Sequence, residues 1–190
     1  GVLVSEINLV SLDLRVANFL ANVRSAGLIE VFLLITLLGK LQIIFGLTVI
    51  ASIIFWFLKK RRYIIYFWSA LISGGLFGYL LKLFVHRDRP ADPVYFEHSF
   101  SFPSGHAIFA MIFYGFLAYT LISCMKIWWR KISVFFICFT IVLVVGFSRL
   151  YLGVHYMSDV FGGFLLGFLI LITTIALWVC RRIPYSVTNP

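Results

Sequence analysis

Two histidines and an aspartate have the spacing that proton transfer and nucleophilic attack require. His155 precedes Asp159 by four residues, so on a helix the two side chains would be neighbours on one face. A carboxylate on one imidazole nitrogen fixes the tautomer and leaves the other nitrogen as a nucleophile or base. His106, in the segment 103–106, can give or take a proton near neutral pH. These residues predict acid–base or covalent chemistry.

Basic side chains and a helix start near these residues are suited to bind a phosphate. Lys82 and Arg89 are seven residues apart, about two turns of a helix that continues to the next proline, and would lie on one face. Arg149 adds a planar guanidinium that matches phosphate oxygens. Ser104 is placed to cap the following helix, and Gly105 lets a ligand approach the free N–H groups. We expect a polyanion site beside the histidines.

Other polar residues close by have a more ordinary explanation. His86, Arg87 and Asp88 follow the end of a predicted span, and His98 lies in the loop beyond it. Charged groups in such places are usually solvated or paired locally. We therefore expect no chemical role for these four residues.

The composition indicates that membrane helices position the candidate residues. Of the 190 residues, 62% are hydrophobic and 12% are charged, whereas soluble domains have about 25% charged residues. This excludes both a soluble domain and a disordered chain. A membrane-spanning helix needs about 20 mainly apolar residues. Five stretches qualify: 41–58, 63–85, 107–125, 132–148 and 160–180.

The connections between these spans alternate in chemistry. The first, third and fifth are short and purely basic, with bases at 59–62, 126–131 and 181–182. They account for the whole net charge of +9, so this charge indicates topology and not a nucleic-acid partner. By the positive-inside rule they face the cytoplasm. The connections 86–106 and 149–159, which carry the candidate residues, then share the periplasmic or extracellular face.

The region before the first full span has a different pattern. Residues 9–24 alternate as an amphipathic helix on the outer interface would, and residues 28–38 are apolar but too short to cross alone. Because the chain begins with Gly1, not Met, we expect an upstream segment in the full-length protein. The predicted parts are 1–39 for the amphipathic helix and a short lead-in helix, 40–182 for the helix bundle, and 183–190 for a cytoplasmic tail.

Cysteine and acidic residues do not suggest a metal or a disulfide. Cys124, Cys138 and Cys180 lie far apart within or at the ends of apolar stretches. We expect them to be buried apolar side chains. No segment has the density of acidic or Cys/His ligands that a catalytic metal needs, so we expect neither a metal nor another cofactor.

In order and spacing, the motifs resemble the three-part signature of the type-2 phosphatidate phosphatase superfamily. That superfamily includes integral-membrane lipid phosphatases and the soluble vanadium haloperoxidases. The matching segments are Lys82-x6-Arg89-Pro90, Pro103-Ser104-Gly105-His106 and Ser148-Arg149-x5-His155-x3-Asp159. The resemblance implies an all-α, polytopic membrane helix bundle. The resemblance also implies six spans in a longer family member, whereas this chain shows five clear spans and the N-terminal amphipathic helix.

The resemblance also implies a role for each residue. His155 resembles the nucleophile that forms a phosphohistidine, and Asp159 the carboxylate that orients it. His106 resembles the acid that protonates the leaving alcohol and then the base that activates water. The residues that resemble the phosphate-binding groups are Lys82, Arg89, Ser104, Gly105 and Arg149.

The leading hypothesis is therefore a metal-independent membrane phosphatase that hydrolyses a lipid phosphate or pyrophosphate at the outer face. Phosphatidylglycerol phosphate, undecaprenyl pyrophosphate and phosphatidate are candidate substrates, and the oligomeric state stays open. One alternative is a phosphotransferase on the same fold, which would pass the phosphoryl group to another acceptor. A second is a non-catalytic transporter or scaffold, because Gly74-x3-Gly78 and Gly163-x3-Gly167 permit close helix packing.

Overall fold

The apolar stretches form helices, because backbone groups that find no water in hydrocarbon must pair within their own segment. The computed structural model describes residues 2–181, with side chains from residue 9 onward. The predicted tail 183–190 and Arg182 lie outside these residues. Within the described part there are seven helices and no strand: α1 (Val2–Asn22), α2 (Ala26–Leu37), α3 (Leu41–Phe57), α4 (Arg61–Val85), α5 (Gly105–Cys124), α6 (Trp128–Tyr151) and α7 (Met157–Cys180).

Four helices, α4 to α7, are each long and apolar enough to cross a bilayer. Helix α3 has only 17 residues. However, α2 and α3 together meet the same criterion and are joined at a bend of 43°. The predicted first span, 41–58, is thus one half of a broken pair, and the lead-in helix is the other half. The predicted polytopic helical bundle is confirmed, with four spans, or five when the bent pair counts as one.

Helix α5 lies at the centre of the bundle and packs against α3, α4, α6 and α7. Half of its apolar stretch is buried, compared with 28% in each of the other three long helices. Aromatic rings fill the space around it. Phe67 stacks on Phe116 with centroids 4.6 Å apart, and Tyr63 packs on Trp178 at 4.5 Å. This packing holds α5 within the bundle, and the first turn of α5 carries two candidate residues.

Two glycines of α7 bring this helix against the start of α5. A Cβ on Gly163 would lie 2.6 Å from the Ser104 carbonyl oxygen, and one on Gly167 would lie 2.9 Å from that of Ile108. Both distances are too short for a real side chain, so close approach requires glycine here. The glycine pair of α4 also faces α5. The small-residue pairs therefore pack helices within this chain, which removes the observation that suggested a scaffold.

Helix α1 exposes apolar side chains and turns one charged side chain inward. Leu12, Leu14 and Phe19 are exposed, whereas Asp13 is only 2% exposed. An exposed apolar face suits a membrane interface, and a buried carboxylate requires partners. The amphipathic interfacial helix expected for residues 9–24 stays a prediction.

The cysteines follow the prediction only in part. Cys138 is buried, but Cys124 and Cys180 are exposed. The last two are the final residues of α5 and α7 and lie beyond the packed core. Lys60 Nζ is 3.0 Å from Cys124 Sγ, which places this thiol beside the basic turn between α3 and α4.

We expect Gly163→Ala to destabilise the bundle and to lower activity, because the new methyl group displaces Ser104. Overpacking of this kind costs about 1–3 kcal/mol. Gly46→Ala in α3 is the matched control, since a Cβ there meets nothing within 4 Å. Thermal unfolding in detergent and phosphate release measure both effects. Equal unfolding temperatures and equal rates of phosphate release in the two variants would contradict the close contact between α5 and α7.

Candidate active site

The candidate residues collect where helix ends meet at one end of the bundle. Helix α4 enters this end and is followed by an irregular segment, 86–104, that leads into α5. A shorter connection, 152–156, joins α6 to α7 at the same end. The basic connections between α3 and α4 and between α5 and α6 lie at the opposite end. The three sequence clusters therefore meet, as predicted, at one end of the bundle.

Lys82 and Arg89 converge without the continuous helix that their spacing predicted. Helix α4 stops at Val85, and His86 adopts a left-handed conformation with φ of 49°. Arg89 consequently lies in the irregular segment. Lys82 Nζ nevertheless donates to the Phe100 carbonyl, and Arg89 Nη2 lies 3.4 Å from the same oxygen. The loop, and not a shared helical face, brings the two cations together.

His155 and Asp159 are also adjacent for a different reason than predicted. His155 precedes α7, and its Nδ1 lies 3.6 Å from Asp159 Oδ2, which is longer than a hydrogen bond. The buried Ser101 lies beside both, donating to Asp159 Oδ2 and lying 3.3 Å from His155 Nδ1. Asp159 Oδ2 also accepts the Tyr156 backbone N–H at 2.8 Å. A capping turn at the start of α7, not a helical face, therefore holds the pair.

The neighbours of His155 determine its tautomer. Arg89 Nη1 lies 3.3 Å from Nε2. Since a guanidinium can only donate, Nε2 accepts and the proton lies on Nδ1, towards Ser101 and Asp159. Burial first, and then the charges of Arg149 and Arg89, lower the pKa of His155 to about 4, although Asp159 opposes the shift. At neutral pH the imidazole is uncharged and Nε2 carries a lone pair and no proton, the state that a nucleophile requires.

Arg87 neutralises the buried Asp159, contrary to the expectation of an ordinary solvated residue. Its Nη1 lies 2.6 Å from Asp159 Oδ1, and the carboxylate is fully buried. The need for this role is visible only once the burial of Asp159 is known. A buried carboxylate beside a neutral imidazole still needs a cation, and Arg87 lies only two residues from Arg89.

Arg149 is a fixed positive charge within the cluster. Its side chain is completely buried. Nη1 donates to Thr36 Oγ1 at 2.7 Å and to the Tyr95 hydroxyl, while Nη2 pairs with Glu97. Its Nε has no hydrogen-bond partner within residues 2–181. Tyr95 therefore belongs to the site, although no sequence motif pointed to it.

Glu97 bridges the two arginines and was also missed by sequence reasoning. Its Oε2 lies 2.8 Å from Arg89 Nη2, and its Oε1 pairs with Arg149 Nη2. Burial alone would raise the pKa of Glu97, but the charges of Arg149 and Arg89 lower it below its ordinary value. The carboxylate is thus an anion that occupies donors suited to two phosphate oxygens. A lone acidic residue in a loop gives no sequence signal for this contact.

The start of α5 offers further groups to an anion. Ser104 precedes the helix as predicted, and its backbone N–H donates to the Asp159 carbonyl at 3.0 Å. Its side chain makes no capping bond. Instead, Oγ is buried and lacks a partner in the described part of the chain. A Cβ on Gly105 would meet nothing within 4 Å, so there is open space at this helix start.

His106 is held between this cluster and the bend of the broken helix pair. A side chain on Gly39, which follows α2, would come within 3.3 Å of the His106 ring. Near the same bend, Tyr114 of α5 donates to the Leu38 carbonyl at 3.1 Å. His106 lies within electrostatic range of His155. The bend therefore supports the second histidine of the site.

A cavity of about 440 Å³ leads to the cationic cluster. Lys82, Arg89 and Glu97 line its polar side, and Tyr79 and Leu83 of α4 line it towards the outer surface of the bundle. Such a cavity suits a molecule with a charged headgroup and apolar tails. Among the described residues, no group of three His, Cys, Asp or Glu side chains could hold a metal ion. The fold and the site together are those of a membrane protein that handles phosphate groups.

The chain belongs to the PAP2 superfamily, whose profile matches residues 62–183. It is 36% identical over 168 residues to phosphatidylglycerophosphatase B of Bacillus subtilis (strain 168), a match that covers 84% of this chain and 80% of that protein. These matches confirm the predicted family and the predicted enzyme class, a hydrolase of lipid phosphates.

Two crystal structures have the same fold. A transmembrane PAP2 type phosphatidylglycerolphosphate phosphatase from Bacillus subtilis aligns with a TM-score of 0.85 and 32% identity, over 93% of this chain and 88% of that one. LpxE of Aquifex aeolicus aligns with a TM-score of 0.70 and 25% identity, over 86% of this chain and 94% of that one. The resemblance to integral-membrane relatives therefore extends over nearly the whole chain.

We expect His155 to titrate near pH 4 and to carry its proton on Nδ1 at neutral pH. Protonation is costlier inside the protein than in water, so the neutral form persists as the pH falls until about 4. Nitrogen-15 NMR of histidine-labelled protein in micelles measures both properties, with His155→Gln identifying the signal. Titration near the ordinary value of 6.5 would contradict the burial of this imidazole.

Proposed function

We propose that the protein hydrolyses the phosphate of a membrane lipid through a phosphohistidine formed on His155. One observation carries the proposal. The imidazole of His155 is buried and neutral, its Nδ1 lies near Ser101 and Asp159, and its Nε2 faces Arg89. A nucleophilic nitrogen thus lies at the edge of a cationic cluster, where a phosphorus atom bound by those cations would come within its reach.

In the first step, Nε2 of His155 attacks phosphorus and the bond to the lipid oxygen breaks. His106 donates a proton to that oxygen, so that a neutral alcohol leaves. Asp159 stabilises the positive charge that develops on the imidazole ring. The groups that would hold the phosphate oxygens and offset their charge are Lys82, Arg89, Ser104, Gly105 and Arg149.

Phosphate binding requires Glu97 to leave the arginines, because the carboxylate and the phosphate use the same donors. Its negative charge offsets part of the positive charge of the clustered cations. A substrate phosphate carries more charge than a carboxylate and offers more oxygens to Arg89 and Arg149. Exchange of one anion for the other therefore keeps the buried guanidinium groups paired throughout the cycle.

In the second step, water attacks the phosphohistidine and His106 acts as the base that receives its proton. Inorganic phosphate leaves and His155 returns to its neutral state. A phosphotransferase would share the first step and differ only in the second acceptor. Analysis of the products separates the two reactions, since hydrolysis gives free phosphate and transfer gives a phosphorylated acceptor.

The substrate that we propose is phosphatidylglycerol phosphate. Support comes from the Bacillus subtilis sequence and the Bacillus subtilis structure that this chain resembles, both named for activity on this lipid and both aligned with most of this chain. We expect purified protein in mixed micelles to release phosphate faster from it than from undecaprenyl pyrophosphate or phosphatidate. A preference for either of the other lipids would contradict this choice of substrate and leave the enzyme class intact.

We propose that the site faces the periplasmic or extracellular side of the membrane. The basic turns lie at the end of the bundle opposite the site, and basic connections favour the cytoplasm. In a cysteine-free background, an impermeant maleimide should label His98→Cys in intact cells. It should label Lys126→Cys only after permeabilisation. The reverse pattern would place the site in the cytoplasm.

We expect a phosphohistidine to accumulate in His106→Ala when the substrate has a good leaving group, such as a lipid aryl phosphate. The first step then needs no acid, whereas the second still lacks its base. Rapid quenching with phosphorus-32 substrate under alkaline conditions measures the acid-labile label. His155→Ala should carry no label.

His86→Asn is the matched control for these variants, because His86 is exposed and asparagine tolerates its left-handed backbone. It should turn over substrate like the wild type. Turnover should also persist in EDTA. Acid-labile phosphorus-32 label on the His155→Ala protein, or loss of turnover in EDTA, would contradict the proposed mechanism.

A further inference from the structure

One arginine joins two buried carboxylates that belong to different helices. Arg87 Nη1 lies 2.6 Å from Asp159 Oδ1 on α7, and Nη2 lies 2.6 Å from Asp13 Oδ2 on α1. Asp13 is 2% exposed and Asp159 is fully buried. The guanidinium thus pairs with two anions that would otherwise be buried without a cation.

Asp13 also binds the first turn of α7 directly. Its Oδ1 accepts the Ser158 backbone N–H at 2.9 Å, and its Oδ2 accepts the Ser158 hydroxyl at 2.5 Å. That N–H is one of the donors that a helix start leaves unpaired, and an anion there is favourable. Since Ser158 precedes Asp159, α1 fixes the turn of α7 that carries the carboxylate.

The neutral charge state of the His155 imidazole explains why Asp159 needs Arg87. A neutral imidazole supplies no charge to the buried carboxylate, so its cation must come from elsewhere. Arg87 binds Oδ1 and leaves Oδ2 for Ser101 and the Tyr156 N–H, beside the histidine. The Arg87 carbonyl also accepts the Ser101 backbone N–H at 2.8 Å. One residue therefore positions both groups that lie against Nδ1.

We propose that Asp13 and Arg87 are positioning residues for the reaction: Asp13 holds Arg87, and Arg87 holds the Asp159 carboxylate against Ser101 and His155. The inference rests on the proposed role of His155. When Nε2 bonds to phosphorus, the ring becomes positively charged with its proton on Nδ1. A carboxylate held in place stabilises that charge without having to reorganise. Helix α1 then contributes to the active site through Asp13, in addition to its predicted role at the membrane interface.

Two conservative variants test the proposal. Asp13→Asn keeps the shape and removes the charge, and Arg87→Lys keeps the charge but cannot bridge two carboxylates. We expect each to lower kcat and the rate of phosphohistidine formation by about 10- to 100-fold, as loss of an outer-shell partner does. KM and the inhibition constant of vanadate should change by less than about 2-fold, because neither residue belongs to the phosphate-binding groups. Arg15→Gln, on the exposed part of α1, should match the wild type.

Thermal unfolding in detergent, measured on the same samples, distinguishes loss of positioning from loss of fold. If either variant fails to fold, Arg87→Ala with added guanidinium replaces it. Recovery of kcat supports the proposal, and no recovery overturns it. Wild-type kcat in both conservative variants, or losses confined to KM and vanadate binding, also overturn it. A wild type that forms no phosphohistidine contradicts the proposed function instead, so the two failures are distinguishable.

Discussion

Burial of the Asp159 carboxylate is the constraint on which the site depends. A buried charge without partners is very costly, and this one is fully buried. Arg87 pairs with one oxygen, while Ser101 and the Tyr156 N–H bind the other. These contacts order the irregular segment after α4 and the start of α7 around a single group. The carboxylate in turn lies beside Nδ1 of His155 and thereby leaves Nε2 free.

The same physical requirement explains the groups that surround this pair. Buried arginines need anions, and Glu97 supplies one to Arg89 and Arg149. Close packing at Gly163 places the Ser104 backbone beside Asp159. The membrane fold thus contributes fixed helix ends, and the loops contribute the charges that these ends position. Together they form a site whose positive charge is already in place, as the proposed phosphate binding requires.

The sequence predicted the helices, the family and the clustering of the three motifs, because apolar length and motif spacing are local properties. It did not predict how the residues meet. Lys82 and Arg89 converge across a loop, and His155 precedes α7, since the helices end earlier and begin later than spacing suggests. The contacts of Arg87 and Glu97 were missed because their partners lie far away in the chain. Such contacts depend on tertiary packing, which periodicity does not encode.

The most direct test of this account is a crystal structure of the protein with vanadate, which adopts the geometry of a phosphoryl group in transfer. We predict a bond from vanadium to Nε2 of His155, vanadate oxygens on Arg89 and Arg149, and Glu97 displaced from both arginines. Asp159 should keep its pairing with Arg87. Vanadate bonded to another residue, or bound while Glu97 still bridges the two arginines, would contradict the account.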